Sequence, residues 1–307
     1  MNISPASISL QLAEFQLQAL SLPMNSAFDT KSNDSWATMF SLLVANGTQF
    51  DQLSSDPLSW LTQSSNISHG NSINGVSASG RNMALFDPES AYRMMTVINN
   101  EDILYKAQFS ELSQMGSCVS HMQASAQSLA DIGLSAGNDG IKSQLQSFVS
   151  QYNDWIQRFG PDIQQGGLLY GTQAAQVSQF ELEQNVNNRF FGIKDGVHGM
   201  GDIGITIDPG TRLASLDTAK LDAVLATNKQ GVVDTVQEFS TNFTKSASLL
   251  NSDGNFILTQ LDNLDRVIHY ISDNKDSLQK EFGTGDTAKP AGTVAVALAA
   301  YNQTYGV

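Results

Sequence analysis

Residues 201–225 read GDIGITIDPGTRLASLDTAKLDAVL, and the hydrophobic period changes along this stretch. Isoleucines alternate at positions 203, 205 and 207, the two-residue period of a strand with one buried face. Asp208-Pro209-Gly210 follows as a turn, in which Pro209 presets φ and Gly210 is free to take a positive φ. The chain then reverses into Leu213-Ala214-Ser215-Leu216 as a second short strand. Asp217 stands where a helix N-cap belongs. Its carboxylate can accept from the free amides of Thr218 to Lys220, and Leu221, Val224 and Leu225 line one helical face beyond it.

Upstream the period is helical. Asp87 with Pro88 makes a helix start, and Ala91, Met94, Met95 and Ile98 lead into Leu112, Met115, Val119, Met122, Ala126 and Leu129, a seam in alternating steps of three and four. The methionines on it read as adaptable core packing. Glycines between Gly133 and Gly140 break the helix, and Ile141, Leu145, Phe148, Tyr152, Trp155 and Phe159 form the facing seam of an antiparallel hairpin. Gly160-Pro161 is expected to end that second arm, and Gly166-Gly167 to mark a loop. A weaker helix over Ala174–Phe191 takes Val177 and Phe180 as its anchors.

Downstream, Val232, Val236, Phe239, Phe243 and Leu250 define one helix, and a turn at Asn251–Gly254 leads into the next. That next helix carries Ile257, Leu261, Leu264, Ile268, Ile271, Lys275, Leu278 and Phe282, with Lys275 the polar intruder on the seam. The expected fold is mainly α, an elongated antiparallel helical bundle or coiled coil with a small β-hairpin at about 203–216. Residues 1–87 are read as a loose N-terminal segment with short helices at Ser9–Ser21 and Ser35–Ala45, residues 88–283 as the bundle, and residues 284–307 as a tail in which Val294–Tyr301 forms a small helix.

Composition narrows the function classes. The chain has 307 residues, 41% hydrophobic and 15% charged, enough for a substantial core. A net charge of −14, with Lys31 and Arg81 the basic residues among the first ninety, repels a phosphate backbone and excludes nucleic acid as partner. There is no apolar run long enough for a membrane span, and MNISPASISLQLAEF lacks the basic cluster of a secretory signal. A single cysteine, Cys118, rules out an intramolecular disulfide framework.

Apparent chemical motifs resolve into structural ones. Gly199-Met200-Gly201-Asp202-Ile203-Gly204 matches GxGxxG, but a strand follows the glycines, so no helix N-terminus is aimed at a phosphate. Cys118 and His121 share a helical face without further ligands, and His69, His198 and His269 are isolated. The turns at Asp139-Gly140 and Asp253-Gly254 would end calcium loops on Gln146 and Gln260, where a bidentate carboxylate is needed. The expectation is no catalytic site, no cofactor and no metal.

Taken together, Phe148-Val149 with Tyr152-Asn153, then Gly167-Leu168-Leu169-Tyr170-Gly171, then the 201–225 unit and two long helices are similar, in order and spacing, to the C-terminal module of the flagellar filament-capping proteins, the hook-associated protein 2 family. The resemblance covers roughly Ile141 to Phe282. It departs from the family where Gly133–Gly140 joins the two arms directly, in place of β-rich head domains. It implies a non-enzymatic, oligomeric axial component, exported by the flagellar type III route and contacting hook-associated proteins or flagellin. Apolar residues on the two helix arms exceed the needs of one small core, so Leu112, Val119, Met122, Leu264, Ile268, Ile271, Lys275 and Leu278 are candidate oligomer or partner contacts. The alternative is a cytoplasmic coiled-coil adaptor or chaperone for flagellar export substrates.

Overall fold

The computed structural model describes residues 76–306 except 192, 194 and 195. The helices expected at Ser9–Ser21 and Ser35–Ala45 lie outside the described residues. Within them the chain is mainly α with one small antiparallel sheet: α1 Pro88–Ala130, α2 Asn138–Ile163, α3 Gln173–Asn187, β1 Ile205–Ile207, β2 Ala214–Leu216, α4 Thr218–Thr227, α5 Lys229–Leu250, α6 Phe256–Phe282 and α7 Gly292–Tyr305. The chain divides into two compact units, residues 111–260 and residues 76–110 with 261–306.

In the unit 111–260 the expected seams are buried. Leu112, Met115, Val119, Met122, Ala126 and Leu129 of α1 are at most 2% exposed, and Ile141, Leu145, Phe148, Tyr152, Trp155 and Phe159 of α2 at most 1%. Phe148 meets Phe239 and Phe243 of α5 edge-on, each with centroids 5.0 Å apart, a favoured aromatic geometry. Polar side chains of and beside α5 bond the carbonyls of α1 and its C-terminal turn: Asn251 Nδ2 to Gly116, Ser240 Oγ to Ala126, Gln237 Nε2 to Ile132 and Lys229 Nζ to Ala136. The partners run in opposite order along the two segments, so α5 lies antiparallel to α1.

Two sequence expectations shift here. Helix α2 continues through Pro161 to Ile163, and Gln164 N–H closes it on Gly160 O at 3.3 Å. The donor that Pro161 lacks would have served Gln157, a solvent-exposed residue, so the proline is tolerated in the last turn. On α3 the inward face is Ala174, Ala175, Ser178, Gln179, Leu182, Asn185 and Val186, whereas Phe180 is 59% exposed. Two of the buried polar groups are satisfied within the helix, Ser178 Oγ donating to Ala174 O and Asn185 Nδ2 to Glu181 O.

In the other unit Asp87 caps α1, accepting from Ser90 N–H at 3.1 Å and Ser90 Oγ at 2.6 Å. Asn82 Nδ2 donates to the carbonyls of Lys280 and Glu281, supplying donors to the free carbonyls at the end of α6. Residues 283–286 then run beside α1: Thr284 N–H bonds Gly80 O, Asn99 Nδ2 bonds the carbonyls of Thr284 and Asp286, and Tyr92 OH donates to the Asp286 carboxylate. Helix α7 rests Tyr301 and Tyr305 edge-on against Phe109, at 5.9 and 5.2 Å.

Candidate functional site

The corner formed by residues 199–225 is where local sequence, tertiary anchoring and turn chemistry converge. β1 and β2 pair Ile205 with Leu216, Thr206 with Ser215 and Ile207 with Ala214. Residues 201–204 are turn, so the expected strand begins two residues after Ile203. Gly204 stands at φ +102°, outside strand space, and a Cβ there would sit 2.6 Å from the Asp217 carbonyl oxygen. Gly199 is equally constrained, since a Cβ would sit 2.7 Å from Asn188 O. Gly199 and Gly204 of the GxGxxG-like run let backbones cross closely, and Ile203 between them is buried.

The hairpin loop is organised by Asp208. Its Oδ1 accepts from Gly210 N–H, Thr211 N–H and Thr211 Oγ1, holding the carboxyl below the ordinary aspartate value. Arg212 N–H closes on Asp208 O at 2.7 Å and Asp208 N–H on Leu213 O at 2.9 Å. The left-handed residue is therefore Arg212, at φ 61°, in place of the expected Gly210. Asp217 caps α4 as expected, accepting from Lys220 N–H at 3.0 Å, while Lys220 Nζ reaches back to Gly201 O at 2.7 Å.

Asn153 fixes this corner to α2. Its Nδ2 donates to Ala214 O at 2.9 Å and its Oδ1 accepts from Ala214 N–H at 2.7 Å. One side-chain amide thus takes the place of a third strand on the edge of β2. Sequence reasoning found the Tyr152-Asn153 pair without its role; the signal was an amide between buried aromatic positions of α2, on a helix that must meet a sheet edge. Lys142 adds a second tie from α2, with Nζ 2.8 Å from Asp222 of α4.

Reasoning from sequence also missed a buried ionic cluster. Arg158 of α2 holds Glu111 of α1 through both guanidinium nitrogens, at 2.5 and 2.8 Å, and lies 3.5 Å from Asp162. Glu111 and Asp162 are 2% and 5% exposed. Its signal was faint: Arg158 and Asp162 are one helical turn apart, and Glu111 stands next to the apolar seam.

The candidate contact residues fall in different units, Leu112, Val119 and Met122 in one and Leu264, Ile268, Ile271, Lys275 and Leu278 in the other. Leu112, Val119, Met122, Leu264, Ile268, Ile271 and Leu278 are at most 4% exposed in the folded chain, and Lys275 is exposed. Cys118 is partly buried, which pushes its thiol up and away from thiolate chemistry, and His121 is exposed. Among the described residues no group of three or more His, Cys, Asp or Glu side chains is placed to hold a metal ion. None of the described helices is long and apolar enough to cross a membrane.

Comparison with known proteins completes the site. The family model described as flagellar hook-associated protein 2 C-terminus matches residues 120–288, more than half of the chain. That span contains the anchoring Asn153, the hairpin corner and the capped helix α4. No curated protein and no solved structure matches the chain.

Proposed function

The chain belongs to the flagellar hook-associated protein 2 C-terminus family, and from this premise we propose that it is a non-enzymatic structural component of the bacterial flagellum. It acts as a cap-like or hook- and filament-associated subunit, by oligomerising and by contacting flagellin or other axial proteins. The observation that carries this reading is the family match over residues 120–288, which takes in the whole hairpin corner. Supporting it, the polar clusters serve to fix helices to one another: Asn153 ties α2 to β2, and Arg158 ties α2 to α1. Of the candidate contact positions on α6, Lys275 is exposed and is the one proposed to meet a partner, whereas Leu264, Ile268, Ile271 and Leu278 are buried.

The test is fractionation joined to genetics. An epitope-tagged chain is expected in sheared flagella and in the medium, and deletion of its gene is expected to impair swimming or filament assembly. Retention of all the protein in the cytoplasm, with normal filaments in the deletion strain, overturns the proposal in favour of an internal adaptor.

A further inference from the structure

The cluster of Arg158, Glu111 and Asp162 joins α1 to α2 with one cation and two nearly fully buried carboxyl groups. With all three ionised it carries a surplus negative charge away from water, a costly arrangement. The titratable and charged groups facing it are Glu111 and Cys118 from α1 and Asp154, Arg158 and Asp162 from α2. Helix α3 adds none, because Glu181 accepts from Ser246 and Glu183 pairs with Arg212. The turn between α5 and α6 carries Asp253, which is exposed. Arg158 is the cation of the cluster, and its side chain is 44% exposed.

We infer that Glu111 is a proton-operated latch: it takes one proton from solvent, lowers the surplus negative charge around Arg158, and so tightens the contact between α1 and α2. Both carboxyl groups face the one guanidinium, Glu111 at 2.5 and 2.8 Å and Asp162 at 3.5 Å, and Gln114 Oε1 receives another Arg158 N–H at 3.2 Å, so the guanidinium stays in place in either state. Burial, the largest effect, pushes the Glu111 carboxyl above its ordinary 4.5, Asp162 adds to it, and Arg158 opposes. A carboxyl raised on folding lends stability that is fully present below 4.5 and is lost as pH rises through the folded value. The latch therefore grips below 4.5 and slackens as the pH rises through the folded value.

The test is a pH titration of the full chain followed by carbon-detected NMR of glutamate carboxyl groups, with Glu111→Gln assigning the signal. Glu111 is expected to titrate above 4.5, and Asp162→Asn to move its midpoint down toward 4.5, while Asp154→Asn leaves it in place. Thermal unfolding gives a second readout: raising the pH from 4.5 is expected to lower the melting temperature of the parent chain relative to Asp162→Asn. A Glu111 midpoint at or below 4.5, or one that Asp154→Asn shifts as much as Asp162→Asn does, overturns the latch.

Discussion

Asn153 and Ala214 exchange two hydrogen bonds, Nδ2 to the carbonyl oxygen at 2.9 Å and the amide to Oδ1 at 2.7 Å, so one helical side chain completes the outer edge of a two-stranded sheet. A lone hairpin is marginal in water. Here the edge that would face solvent is satisfied by α2, and Ala214 is 6% exposed.

Replacing Asn153 with Ala is therefore expected to leave a buried amide and a buried carbonyl without partners, a loss of about 2–6 kcal/mol at roughly 1–3 kcal/mol for each unmade bond. Asn153→Asp keeps the acceptor but sets a carboxylate against the Ala214 carbonyl, and is expected to be no better. Urea unfolding of the two variants measures this. A change within 0.5 kcal/mol, roughly the scatter of an ordinary surface substitution, would show that the hairpin is held elsewhere.

That anchor shows where the sequence is legible and where it is not. Every residue on the α2 seam from Ile141 to Phe159 is buried because apolar periodicity reports a helix that packs by hydrophobic contact. Helix α3 defeats the same logic. Its inward face sets Ala174, Ala175, Ser178, Gln179 and Asn185 beside only two larger apolar residues, Leu182 and Val186, while Phe180 faces out. The corner was legible as hairpin plus capped helix, since Asp217 and the alternating apolar residues act locally. Its boundaries were not, because a crossing with the Asp217 carbonyl sets Gly204 at positive φ and ends the strand beside Ile203. The Asn153 bond and the Glu111 cluster depend on residues 61 and 47 positions apart, which no local period records.

Tyr152 next to that anchor is fully buried, and its hydroxyl has no hydrogen-bond partner among the described residues. Burial drives its ionisation far above the ordinary tyrosine value, so the group stays neutral across the physiological range. Tyr152→Phe removes a buried polar atom without removing the ring. Stability is expected to be unchanged or higher by up to about 1 kcal/mol. A urea midpoint that falls by the equivalent of more than about 1 kcal/mol, with unchanged denaturant slope, would reveal a partner for the hydroxyl.

Asp208 gives the hairpin loop an acid limit. The bonds from Thr211 and Gly210 hold its carboxyl below 3.8, and a carboxyl lowered on folding contributes stability that is present above the unfolded value and lost as pH falls through the folded one. Asp208→Asn keeps an acceptor oxygen but cannot titrate. The melting-temperature difference between the parent chain and this variant is expected to be flat above 3.8 and to shrink below it. A difference that stays constant down to acid unfolding would remove the carboxylate from the account.

Arg212 closes the same loop from the other side, and its backbone pays for doing so. At φ 61° a residue with a Cβ is in left-handed space, a conformation that costs roughly 1–2 kcal/mol and that glycine adopts freely. Set against this is the ion pair with Glu183 at 3.3 Å; with Arg212 half exposed, it is worth about 0–1 kcal/mol. The backbone term is the larger, so Arg212→Gly is expected to raise stability by up to about 1 kcal/mol. Arg212→Ala keeps the strain and loses the pair, and is expected to fall below the parent. The order glycine, arginine, alanine in thermal unfolding separates conformational strain from side-chain pairing. If glycine and alanine destabilise alike, the ion pair with Glu183 outweighs the backbone, and the loop owes its shape to charge.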